Sequence, residues 1–377
     1  MPPNSHAILS ASSAHRWLNC PPSALLESTR VDEPSDAALQ GTVAHALAEW
    51  KLREHWHENT HRPTSVWEDE EMRAYTDDYV AFVLEQYANA QVVSADALMY
   101  IEQRLDFSHL VPGGFGTGDC LIVADGTLQI IDLKYGLGVL VEAESNPQMM
   151  LYALGALRLF DSLYDIEQVE MTIFQPRREN ISTWRMSVTE LETWAQTILQ
   201  PTAALAAKGE GEYAAGSWCQ FCKIAPTCRA RAEANLELAK HEFAPPAELS
   251  ADEVADVLAK IPELTKWASD VQDYALSKAL EGERYAGFKL VAGRSIRKYT
   301  DETAVAETAK AAGYRDIYRQ QLLPITAMEK LMGKKAFAEI LGDLVVKPEG
   351  KPTLVPVSDK RSELSVSSAA DDFKVNN

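Results

Sequence analysis

No stretch of this 377-residue chain approaches the roughly eighteen consecutive apolar residues that a membrane-spanning helix requires. The opening MPPNSHAILS lacks the basic segment and apolar run of a secretory leader, so a cytoplasmic protein is expected. Cysteine is scarce and odd in number at five, and three of the five crowd into one short segment. That usage suits metal ligation in a reducing compartment better than a disulfide framework. Positive charge is also short, with 36 Lys and Arg against 55 Asp and Glu for a formal net charge of -19. Because phosphate binding rests on cations, this balance argues against a nucleic-acid partner unless basic residues gather locally. They do so once: Arg284, Lys289, Arg294, Arg297 and Lys298 fall within residues 284–299 with no acidic residue between them. Such a stripe on an acidic body can guide DNA, and a solvated strand pair with basic faces is the plain alternative. No internal repeat of useful length is present.

What is there can bury a substantial core, since 46% of the residues are hydrophobic. Residues 10–18 read as a short helix stopped by Pro21-Pro22, and helices are expected over about 36–56 and 71–90. The period then changes. Residues 98–105, 116–124 and 127–135 read as strands, the last two joined by the hairpin signal Asp125-Gly126. A helix over 147–160, a strand pair at 168–174 and 181–187, and a helix over 189–207 follow. The order describes an α/β core, with a mostly helical region at 241–345 and a polar tail at 346–377 expected to be disordered.

Two groups of residues carry chemistry. In GTGDCLIVADGTLQIIDLKYG, residues 116–136, strand alternation projects Asp132 and Lys134 to one face and Leu133 to the other. Asp119 precedes them on the hairpin and can meet Asp132 across the ladder if the register allows. Two carboxylates and a lysine on an otherwise apolar sheet favour a hard divalent cation, Mg²⁺ or Mn²⁺. An exposed salt bridge on a half-covered sheet is the bland reading of the same residues. Cys120 points to the face opposite Asp119 and is expected to be a small buried hydrophobe. The second group, Cys219-x2-Cys222-x5-Cys228, can present three thiolates to one metal centre. Trp17, Trp218 and Phe221 flank the cysteines and are expected to shield them.

Taken in order, GTVAH at 41–45, Glu102 on a strand, GTGD ending at Asp119, DLK at 132–134 and QMMLY at 148–152 resemble the motifs of RecB-like PD-(D/E)xK nucleases. SSAHRWLNCP at 12–21 is similar to the start of the iron–sulfur members, which include the CRISPR-associated iron–sulfur exonucleases and the AddB nuclease domain. The resemblance covers about residues 10–235 and implies a restriction-endonuclease-like core, a central mixed sheet flanked by helices, forming a nuclease domain over residues 1–240. It implies His45, Asp119, Asp132 and the Leu133 carbonyl as metal ligands, Lys134 as the catalytic lysine, Glu102 as a further acidic site residue, and Gln148 and Tyr152 as DNA contacts or braces of the lysine. It also supplies Cys20 as a fourth ligand, so that Cys20, Cys219, Cys222 and Cys228 would clamp the domain ends around a [4Fe–4S] cluster. Structural Zn²⁺ is the alternative, which spacing alone does not decide.

The function implied is a Mg²⁺- or Mn²⁺-dependent DNA exonuclease acting at ends or on single strands. The HRWLNCP start and KLVAGRSIRKY resemble a phage-encoded group, which points to replication or recombination proteins as partners. A non-catalytic DNA-end-binding accessory protein is the second possibility.

Overall fold

The computed structural model describes residues 7–30, 35–58, 60–237, 251–289, 302–311, 325–341 and 344–345. A 3-10 turn at Ala11–Ser13 leads into α1 (Ala14–Asn19), and α2 (Ser23–Ser28) starts again directly after Pro21-Pro22. Proline therefore interrupts the helix without ending helical structure, because a first helical turn needs no intrahelical N–H donor. The two long helices α3 (Asp36–His55) and α4 (Glu70–Val93) each start on a side-chain cap, Ser35 accepting from the Ala38 N–H and Asp69 from the Met72 N–H.

Strands β1 (Leu98–Asp106), β2 (Phe115–Ala124) and β3 (Gly126–Leu133) follow, then α5 (Pro147–Phe160), β4 (Ile166–Gln175) and β5 (Asn180–Ser187). Gly126 closes the β2–β3 turn at a φ of 83°, the left-handed conformation that glycine adopts without a steric penalty. The sheet order is β1-β2-β3-β4-β5. All pairs are antiparallel except β3 with β4, whose parallel pairing is connected through α5. β3 ends at Leu133, two residues earlier than expected, although the Lys134 N–H still donates to the Phe174 carbonyl at 2.8 Å.

One face of the sheet packs on α5 through Leu121, Val123, Leu128 and Ile130. The opposite face carries Cys120, Ile122, Ile131 and Leu133 against α3 and α4. Cys120 is fully buried there, on the side expected for it. The result is a three-layered α/β core with a mixed sheet in the middle.

The expected helix over 189–207 is α6 (Val188–Trp194), a π turn at Ala195–Leu199 and α7 (Gln200–Lys208). Pro201 removes a donor at the start of α7, and the widened turn before it accommodates that loss. Beyond the cysteines lie α8 (Arg229–Glu237), α9 (Ala251–Leu280), α10 (Glu302–Ala311), α11 (Ile325–Met332) and α12 (Lys334–Leu341). The fully buried Arg231 on α8 ties down α9, with Nε 2.7 Å from Glu263 and Nη1 2.6 Å from Asp270.

The chain divides into compact units 1–277 and 278–377, so most of α9 belongs to the first unit. Of the basic stretch, Arg284 and Lys289 are described and Arg294, Arg297 and Lys298 lie outside the described residues, as does the tail 346–377. Among the described residues no helix is long and apolar enough to cross a membrane.

Candidate metal centre and four-cysteine cavity

Strand register decides which carboxylates meet. β1 pairs Ile101 with Cys120 and Gln103 with Gly118, while β2 pairs Cys120 with Ile131 on β3. Continuing both registers puts Glu102, Asp119 and Asp132 in one row across three strands. The ladders open at this row. Glu102 takes a φ of 51°, a conformation that costs a non-glycine residue about 1–3 kcal/mol. Its carboxylate gathers with Asp119 and with His45 from α3, their candidate ligand atoms all within 4.8 Å of one another. Arg53, two turns beyond His45, donates to the Ile101 carbonyl at 3.2 Å and so holds the backbone beside the kink. The same arginine takes Glu49 at 2.9 Å, which accounts for that carboxylate.

Asp119 works in two directions. Oδ1 lies 3.2 Å from His45 Nδ1, and Oδ2 accepts the Leu133 N–H at 2.7 Å, filling the ladder position left where the strands part. Asp132, with a side chain only 2% exposed, has Lys134 Nζ at 2.8 Å from Oδ2 and accepts from Gln148 Nε2 at Oδ1, 3.2 Å away. The lysine approaches Oδ2 as an ion pair, off the hydrogen-bonding axis, so that buried oxygen lacks an aligned hydrogen bond. Lys134 Nζ donates to Gln148 Oε1 at 3.1 Å, and Gln148 Nε2 also donates to the Tyr152 hydroxyl at 3.1 Å.

Gln148 and Tyr152 sit one turn apart on α5, whose start is fixed by Asn146 accepting from the Gln148 and Met149 N–H groups and by Pro147 at the first position. Gly116 supplies the room, since a Cβ there would lie 2.7 Å from a Tyr152 ring carbon.

Charge crowds this row. Burial disfavours a charged His45, but the Asp119 charge and hydrogen bond, helped by Asp132, outweigh it and raise the imidazole to about 9. Burial and the neighbouring Asp119 raise Glu102 to about 7. Burial also works against ionised Asp119, yet His45 and Lys134 hold it below the ordinary carboxylate range. Asp132 goes the other way: burial and then the like charge of Asp119 push it up in spite of Lys134. Three carboxylates against one ammonium and one imidazole make a set that a divalent cation would relieve. Hard oxygen donors with one imidazole fit Mg²⁺ or Mn²⁺.

The residues expected at the site are thus brought together, with two differences in detail. Glu102 stands with His45 and Asp119 as the compact candidate ligand set, while Asp132 is engaged by Lys134 and Gln148. Gln148 and Tyr152 point inward and brace the lysine, and Tyr152 is only 6% exposed. Sequence reasoning missed Arg53. Its spacing from Glu49 was a signal for an ion pair and carried none for its bond to β1.

Across the domain, Cys20, Cys219, Cys222 and Cys228 line one cavity together with Arg16 and Ser23. Short 3-10 turns at Ser217–Phe221 and Ala225–Thr227 bend the later three cysteines around it. Burial raises the Cys219 thiol and pushes Cys222 up to about 12, so a metal bound there would have to displace protons. Among the described residues no three cysteine sulfurs lie within 4.8 Å of one another. Of the aromatic residues expected as shields, only Trp218 lines the cavity. Trp17 instead belongs to the main core, its indole N–H donating to the Ser10 carbonyl, and Phe221 is 70% exposed.

Residues 6–362 match the family described as "Protein of unknown function (DUF2800)", and the chain belongs to that family. A crystal structure of a candidate exonuclease from Eubacterium rectale is similar at 14% identity and a TM-score of 0.33, over 65% of this chain and 92% of its own. The crystal structure of SSO0001 is similar at 14% identity and a TM-score of 0.22, over 51% of this chain and 98% of its own. Likeness this low carries no weight for function.

Proposed function

We propose that this member of the DUF2800 family is a Mg²⁺- or Mn²⁺-dependent DNA nuclease. It acts as an exonuclease on duplex ends or single strands, in phage replication or recombination, and bears a [4Fe–4S] cluster on Cys20, Cys219, Cys222 and Cys228. The observation that carries the reading is the convergence of His45, Glu102, Asp119, Asp132 and Lys134 at one row of the sheet. An exposed salt bridge would need none of the strained Glu102 backbone, the parted ladder or the buried Asp132.

His45, Glu102 and Asp119 would hold the divalent ion, with Asp132 beside them. The bound ion would supply Lewis-acid stabilisation of the phosphodiester and a more acidic water. Asp132 and Gln148 restrain the Lys134 ammonium, so its charge stands ready to meet negative charge developing on the phosphate. Tyr152 fixes Gln148 in turn.

At the cysteines, what favours a cluster over structural zinc is the likeness of SSAHRWLNCP at 12–21 to the start of the iron–sulfur nucleases.

The test is degradation of end-labelled DNA by the full chain, purified without oxygen, in Mg²⁺ or Mn²⁺. Lys134→Ala and Asp119→Asn are expected to lower the rate about 100-fold or more. DNA-end binding by the wild type with no metal-dependent cleavage of any substrate would establish the accessory-protein reading instead.

A further inference from the structure

Ser23 opens α2 three residues after Cys20, lines the four-cysteine cavity and is 2% exposed. Its Oγ has no hydrogen-bond partner among the described residues, a burial that is unfavourable when nothing answers it. Arg16 lines the same cavity. Its Nη2 pairs with Glu27 and its Nη1 donates to the Phe221 carbonyl at 3.4 Å, but its buried Nε has no acceptor among the described residues. Glu27 in turn accepts the Lys223 N–H at 2.6 Å. The guanidinium is therefore held both from α2 and from the turn that carries Cys219 and Cys222.

Two residues with buried donors that lack acceptors thus line one cavity, together with the four cysteines, Tyr213, Trp218 and apolar side chains. A neutral thiol is a weak acceptor, whereas metal-bound thiolate and bridging sulfide carry negative charge and accept strongly. We infer that Ser23 Oγ and Arg16 Nε donate hydrogen bonds to the sulfurs of the centre held by Cys20, Cys219, Cys222 and Cys228, with the Arg16 charge offsetting that of the thiolates. The inference rests on the reading that these cysteines hold a metal centre. Hydrogen bonds to sulfur favour the more negative, reduced form of an iron–sulfur cluster and raise its potential. They also oppose protonation of the thiolates, the first step of metal loss.

The experiment uses the full chain purified anaerobically as wild type, Ser23→Ala, Ser23→Thr and Arg16→Lys. Bound iron and zinc are counted, and metal loss to excess chelator is followed in time. Ser23→Ala is expected to lose metal several-fold faster, Ser23→Thr to retain the wild-type rate, and Arg16→Lys, which keeps the charge without the Nε donor, to lose metal faster. With iron bound, Ser23→Ala should also have a more negative reduction potential. Stripped of metal, Ser23→Ala should be at least as resistant to denaturant as stripped wild type, which separates loss of a sulfur contact from a packing defect.

Wild-type loss rates in both Ser23→Ala and Arg16→Lys would overturn the inference and leave the metal centre standing. A wild type that binds neither iron nor zinc would overturn both. Should Ser23→Ala fail to fold, the Arg16→Lys rate alone decides.

Discussion

Glu102→Gln should stabilise the metal-free protein while damaging its site. Glu102 is raised from an ordinary 4.5 to about 7 by burial and by Asp119. Its folded form holds a proton that the unfolded chain has released, so the penalty grows as pH rises from about 4.5 and is complete above about 7. The shift corresponds to ~3 kcal/mol against the ionised form, which solvation at the partly exposed carboxylate reduces to about 1–2 kcal/mol. Glutamine keeps the shape without the charge. In chelator at pH 8, Glu102→Gln should therefore gain about 1–2 kcal/mol in chemical denaturation, or about 5 °C in Tm, and the gain should vanish near pH 4.5. Saturating Mn²⁺ should raise the wild-type Tm far more than that of the variant and reverse their order. A variant no more stable than wild type in chelator at pH 8, or one with the same gain at both pH values, would refute the crowded-carboxylate account.

Because His45 stands near 9, Mn²⁺ binding at pH 8 should release close to one proton from it, and apparent affinity should fall up to about tenfold per pH unit below that value. Calorimetry in buffers of different ionisation enthalpy reads this release, and its absence would remove His45 from the ligand set. Gly116→Ala places a Cβ 2.7 Å from the Tyr152 ring, so it should cost about 1–3 kcal/mol in stability. Its loss of DNA cleavage should exceed what that destabilisation explains, since Tyr152 holds Gln148 and through it Lys134. Arg231→Met strips Glu263 and Asp270 of their shared partner and should destabilise α9 by about 1–3 kcal/mol, visible as early proteolysis near α9. Burial works against ionised Asp270, but Lys266 and Arg231 hold its carboxyl below the ordinary value. Its share of wild-type stability is therefore present above about pH 4 and lost as pH falls through the folded value, a dependence that Arg231→Met should weaken.

Much of the core was legible because local periodicity is written directly in residue order. Alternation alone put Asp132 and Lys134 on one face and Cys120 on the other, and Asp125-Gly126 marked the hairpin that aligns Asp119 with Asp132. Helix α5 was visible as an apolar run of helical length behind an Asn-Pro start. The pairing of β3 with β4 was not, because parallel partners meet only through a crossover whose path depends on tertiary burial.

The sequence by itself determined which residue types stand in which order, and with them the faces of each strand and the turn spacing of Gln148 and Tyr152. Only the tertiary structure decided how their charges are shared. It turned Glu102 into the set with His45 and Asp119, gave Asp132 to Lys134, and carried Cys20 to the cavity lined by Cys219, Cys222 and Cys228. The reason is physical: residue spacing constrains the direction of a side chain within its own element, whereas the partner it meets across elements follows from how buried charges and apolar faces are jointly satisfied.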